Sequence, residues 1–181
     1  MTKQKATAIL FSALVTICAG NAIGIAATVP SVPEVLKVPS TQILAIKAHG
    51  IGVQIYECRE NKNDPSKHGW VFKAPKADLF DNTDKQIGKH YAGPTWESND
   101  GSIVVGEVVA PYKSLDINSI PWLLLRAKSN SGSGIFSRIV SIQRVDTNGG
   151  NAPEEGCGKE QVGKEIQVPY QAMYYFYTVN P

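Results

Sequence analysis

The chain is short of several things, and each shortage removes a class of function. Its basic residues form no cluster: 18 Lys and Arg against 16 Asp and Glu are scattered over 181 positions. Setting aside Lys3 and Lys5, which belong to the leader described below, leaves 16 against 16. A near-neutral chain without a basic run lacks the charge that holds proteins to nucleic acid by counterion release, so no nucleic-acid partner is expected. Cysteine is scarce, with three residues, and no histidine stands at ligand spacing from any of them, which removes the common zinc patterns. No Gly-x-Ser-x-Gly elbow occurs, so the usual α/β-hydrolase nucleophile is missing. There is also no internal repeat, no low-complexity tract and no long amphipathic helical pattern. No cofactor or metal is expected.

What is present begins with a leader. Lys3 and Lys5 precede an apolar run from Ala6 to Ile17, and small residues follow at Gly20 and Ala22 and again at Gly24 and Ala26. That is the layout of a secretory signal peptide over residues 1–27, with cleavage near 22–27. An uncleaved anchor fits less well, because Gly20 and Asn21 interrupt the run and no basic stop-transfer residues follow. Lipid attachment at Cys18 fits poorly too, since the bulky Ile17 stands before it. The expectation is export to a periplasm or the medium, with no stable membrane anchor after cleavage. Cys58 and Cys157 then remain, and in an oxidising compartment they allow one intramolecular disulfide. Closing a loop of about 100 residues stabilises by up to roughly 4–5 kcal/mol in the chain-entropy picture.

Residues 28–41 carry Pro30, Pro33 and Pro39 and read as an extended arm, since such prolines prevent a helix. Residues 42–181 read as one β domain. Ile43–Ala48 and Ile51–Tyr56 form a hairpin about His49-Gly50, followed by an Arg59–His68 loop and a strand at Gly69–Ala74. Asp78, Asp81, Asn82 and Asp84 read as a turn; they lack the ligand order and mid-loop glycine of a calcium loop. Asn99-Asp100-Gly101 is a tight hairpin turn. Ile103–Val109 reads as a strand buried on both faces and stopped by Pro111, and Ile120–Ala127 as another buried strand. A flexible loop at Ser129–Gly134, a strand at Ile135–Val145, a turn at Thr147–Gly150 and an aromatic strand at Met173–Val179 complete the chain. The fold class is all-β: a single antiparallel β-sandwich or barrel of roughly eight to ten strands, with little helix outside the leader.

Several segments together resemble a known family. They are Gly52–Cys58, His90–Glu97, Ile120–Leu125, Ile142–Val145, Gly149–Pro153 and Val168–Ala172. In that order they resemble the domain of unknown function 3455 (DUF3455), found in exported bacterial and fungal proteins. The resemblance covers nearly all of the chain after the leader. It implies an exported single domain and carries no established activity, so it assigns no catalytic residues.

The richest stretch chemically is His90–Ser102, with a histidine, two large aromatics, two carboxylates and a Gly-Pro turn. His90 beside Glu97 or Asp100 suggests general acid–base chemistry, as in a small hydrolase or lyase. Against that stands a histidine that only ties down a loop. The rings make a stronger case. Tyr91, Trp96 and Trp122 join the Tyr174–Tyr177 strand, and rings turned outward beside Glu97, Asp100 and Gln143 would form a stacking platform with hydrogen-bond partners, suited to a small polar or carbohydrate ligand. For Trp122, flanked by leucines, a core position is expected. The preferred reading is a small-ligand or carbohydrate binding module with a site near His90, Tyr91, Trp96, Glu97 and Gln143. A secreted hydrolase or lyase and a structural envelope or surface protein are the alternatives.

Overall fold

The structure, a computed structural model, describes residues 28–180. The expected signal peptide lies outside the described residues. Eight strands run in chain order: β1 (Gln42–Asn61), β2 (Asp64–Phe80), β3 (Gln86–Tyr91), β4 (Thr95–Ser98), β5 (Ile103–Tyr112), β6 (Trp122–Ser131), β7 (Ser141–Gly149) and β8 (Glu165–Val179). Each pairs antiparallel with its neighbours in sequence, and β8 pairs with β1 to close the sheet. The fold is therefore an up-and-down barrel. Closure gives every strand a partner on both sides over at least part of its length.

Strand alternation sorts the side chains into an inside and an outside. The register pairs Ala48 with Tyr174, Ala77 with His90, His90 with Trp96, Trp96 with Val104 and Arg144 with Tyr174. Those residues share the interior with Tyr170, Phe176, Leu79 and Ile142. Phe136, on the β6–β7 connection, packs into the interior against Phe176 with ring centroids 4.8 Å apart. A second cluster lies outside the sheet: Leu36, Trp122, Val145, Tyr175 and Tyr177. Leu36 sits on a single 3-10 turn (Glu34–Leu36) of the proline-rich arm and is fully buried. The arm is thus laid along the barrel.

The barrel resolves the choice between sandwich and barrel, and it moves several boundaries. His49-Gly50 is no turn; β1 runs through it unbroken. A side chain at Gly50 would come within 2.6 Å of the Tyr174 ring, so glycine is there to admit an interior tyrosine. The Arg59–His68 segment is mostly strand, closed by a tight turn at Lys62-Asn63. Val108 and Val109 are half exposed, so the second half of β5 is not buried on both faces. Pro111 lies within β5, where β6 is the one partner strand, the kind of edge position at which proline is tolerated. Ile135–Val140 is irregular, and β7 starts at Ser141. Thr147–Gly149 continues β7 past a bulge between Val145 and Asn148.

Candidate functional site

The site follows from unequal strand lengths. β2 is 17 residues long, yet only Ala77–Phe80 pairs with β3. β4 pairs with β5 only over Thr95–Glu97, while β5 continues to Tyr112 beside β6 alone. The short β3–β4 hairpin turns back at Ala92–Pro94. Between Phe72–Pro75 of β2 and Gly106–Tyr112 of β5, no strand fills the wall. Under this window lies a cavity of about 280 Å3, near the small end of ligand pockets. Its buried lining includes His90, Trp96, Leu125 and Tyr174. Phe72 and Val108, each half exposed, form the rim. Other hollows, such as the trough along Arg59–Lys62 and His68–Val71, are open surface troughs.

His90 stacks on Trp96 with centroids 4.5 Å apart and planes 10° from parallel, and Tyr174 meets both rings edge-on. The His90 Nδ1 lies 2.9 Å from the Thr95 carbonyl. A carbonyl only accepts, so Nδ1 carries the proton and Nε2 is left as an acceptor. Burial pushes the imidazole down to about 3, with the nearby Arg144 charge adding to the effect against the Thr95 bond. His90 is therefore neutral at ordinary pH. The indole N–H of Trp96 is buried without an acceptor among the described residues, a cost of about 1–3 kcal/mol.

Arg144 comes into the same space from β7. Its Nε and Nη2 both donate to the Pro121 carbonyl, at 3.2 and 2.7 Å. Among the described residues no carboxylate lies within ion-pair distance of it. The other cation of the lining, Lys73, is compensated by Glu165 and Glu57. Burial raises the hydroxyls of Tyr56, Tyr170 and Tyr174, and the Arg144 charge pulls all three the other way. The interior is thus a ring-lined space with one uncompensated cation.

The residues read from sequence are split by strand alternation. His90 and Trp96 face inward and line the cavity. Tyr91 and Glu97 lie at the alternate positions of the same hairpin, where the Tyr91 hydroxyl donates to Glu97 Oε2 at 2.9 Å. His90 and Glu97 therefore point to opposite sides of the wall. Asp100 sits in the β4–β5 turn and accepts from the Ser102 hydroxyl and the Ile135 N–H. Those bonds hold its carboxyl down to about 2, and they tie the turn to the β6–β7 connection. Gln143 lies outside the barrel under the arm: its Nε2 donates to the Leu36 carbonyl, and its Oε1 accepts from the Tyr177 hydroxyl, both at 2.6 Å. Trp122 is buried in that same outer cluster. Cys58 and Cys157 form a disulfide across 99 residues, with Cα atoms 5.5 Å apart. The structure thus joins His90 and Trp96 but brings neither Glu97, Asp100 nor Gln143 to them.

Sequence reasoning named Tyr174 only as one ring of the C-terminal aromatic strand and did not mark Arg144 or Phe72 as site residues. Arg144 stands two positions from Ile142 in an apolar strand, which places it on the same face as a core residue. That parity was the available signal. The β2–β3 turn is confined to residues 81–85, where Asp81 Oδ1 accepts from Thr83 and Lys85, and Asp78, expected in that turn, lies in β2 paired with Lys89. Among the described residues no group of three or more His, Cys, Asp or Glu is placed to hold a metal ion, and no helix is long and apolar enough to cross a membrane.

No curated protein and no solved structure matches the chain. The family model described as a protein of unknown function (DUF3455) matches residues 39–178, the whole barrel but the tip of β8, and the chain belongs to that family.

Proposed function

We propose that this protein is an exported, non-catalytic binder of a small molecule, which enters the barrel through the window between β2 and β5. The observation that carries the reading is the cavity itself: a buried His90–Trp96 stack with Tyr174 across it, open to solvent over a short hairpin. Natural cores are filled to near-crystal density, so a ring-lined space reached from the surface is a place for a ligand body. Eight-stranded barrels have interiors just wide enough to hold one small ligand. The cavity lining holds no carboxylate, so acid–base chemistry through His90 has no acidic partner there. The leader pattern at residues 1–27 and the Cys58–Cys157 disulfide support export.

The test is a plug. Val108 is half exposed at the rim, so Val108→Trp fills the window without entering the packed interior. A set of monosaccharides and small aromatic compounds is titrated by calorimetry into wild type and variant. The expected result is saturable binding to wild type that disappears in Val108→Trp while its unfolding midpoint holds. Equal binding to both proteins, or none to wild type, would contradict the reading.

A further inference from the structure

We infer that the ligand of this cavity is a small aromatic carboxylate, with its ring over the His90–Trp96 stack and its carboxylate on Arg144. The inference rests on the cavity reading above and specifies the chemistry of the occupant. Arg144 is the starting point. Its Nε and one Nη2 proton are committed to the Pro121 carbonyl. That grip fixes the plane of the guanidinium and turns its far edge, both Nη1 protons and the second Nη2 proton, towards the Tyr174 hydroxyl, a neutral partner that leaves the charge unpaired and that a ligand carboxylate would share or displace. A fixed planar fork matches a carboxylate through two parallel bonds.

Charge complementarity gives the sign. A half-buried cation facing an apolar space is costly unless it is paired. Among the described residues Lys37, Arg59, Lys67, Lys73 and Arg126 are paired with protein carboxylates, and the other unpaired lysines and arginines are exposed to solvent. Arg144 has none, and it is the one directed among buried rings. A ligand anion supplies what the chain omits. The rest of the lining sets the body. His90, Trp96 and Tyr174 offer ring faces and edges, and Leu123 and Leu125 offer aliphatic wall, so a flat hydrocarbon ring is favoured over a sugar dense in hydroxyls. His90, held with Nε2 unprotonated, accepts one donor and adds no competing cation.

Cinnamate and its neutral isostere cinnamamide separate the two ideas. Both are titrated by calorimetry into wild type, Arg144→Gln and Val108→Trp. Wild type should bind cinnamate roughly ten- to a hundredfold more tightly than cinnamamide, the worth of a charge-assisted hydrogen-bonded pair. Arg144→Gln should bring cinnamate down to the cinnamamide level with cinnamamide unchanged, and Val108→Trp should abolish both. Equal affinities that Val108→Trp abolishes would overturn the carboxylate and leave the cavity reading standing. Cinnamate binding that survives Val108→Trp, or that keeps its wild-type affinity in Arg144→Gln, would overturn it as well. If neither probe binds wild type, the inference falls, and the cavity reading is decided separately by the monosaccharide and aromatic set above. Should Arg144→Gln not fold, NMR of the arginine Nε–H groups in wild type decides: cinnamate should shift the Arg144 resonance, and an unmoved resonance contradicts the assignment.

Discussion

His90 is a buried imidazole that the fold keeps neutral, and that has a measurable consequence. Its folded value of about 3 lies below its ordinary 6.5, so the unfolded chain takes up the proton first as pH falls. Stability is therefore full above about pH 6.5 and declines below it, by about 1.4 kcal/mol per pH unit down towards pH 3. The shifted carboxylates Glu57, Asp64, Asp81, Asp100 and Asp116, all lowered, respond only from about pH 4.5 downwards. Urea unfolding between about pH 5 and 6.5 should show this slope in wild type and lose it in His90→Gln. Parallel profiles would remove His90 as the cause. Which of the chemically marked residues face inward was only partly legible. Alternation tells that His90 and Trp96 share a face and that Glu97 takes the other. It does not tell which face is the core, because His90-Tyr91 and Trp96-Glu97 each put an apolar ring beside a polar side chain. Gly50 was misread for a related reason: a glycine between two alternating runs is a turn signal unless a ring from a distant strand needs the space, and Tyr174 lies 124 positions on.

At the scale of elements, the arm and the short β3–β4 hairpin do the most. The arm was legible as extended from Pro30, Pro33 and Pro39, but its seat was not, since Gln143 and Tyr177 reach it only once the barrel has closed. Leu36 is fully buried against Trp122, Val145, Tyr175 and Tyr177. Leu36→Ala should therefore cost about 2 kcal/mol or more, and limited proteolysis should then cut within residues 28–41 faster than in wild type. An unchanged cutting rate would mean that the hydrogen bond from Gln143 holds the arm without Leu36. The hairpin was placed correctly as a turn at Gly93-Pro94, whereas its shortness relative to β2 and β5 was hidden. Length mismatch between neighbouring strands depends on pairing, and pairing is long-range: β1 contacts β8 across more than a hundred residues. The Cys58–Cys157 bond pins the far end of the long β1–β2 hairpin to the β7–β8 connection. It was readable because two cysteines allow a single connectivity.

For the whole molecule, the all-β class and single domain were readable from period-two alternation and regularly spaced turns. The count of eight and the closure were not, since a sandwich and a barrel share the same local pattern. Closure is what gives the chain an interior, and the gap left by the β3–β4 hairpin is what opens that interior to solvent. The cavity therefore belongs to the assembled barrel and not to any one segment. Residues far apart in sequence meet there, from Phe72 through His90 and Arg144 to Tyr174.

Trp96 is the best reporter of that space, because its indole N–H is buried and without an acceptor, and its signal separates from those of Trp70 and Trp122 by single Trp→Phe substitutions. The most direct measurement is the NMR position of this indole N–H while the fragment set is titrated into wild type and Val108→Trp. A ligand in the window cavity should shift the Trp96 resonance saturably in wild type and leave it unmoved in Val108→Trp. Fragments that bind without moving the Trp96 indole, or that move it equally in both proteins, would contradict a binding site behind the β2–β5 window.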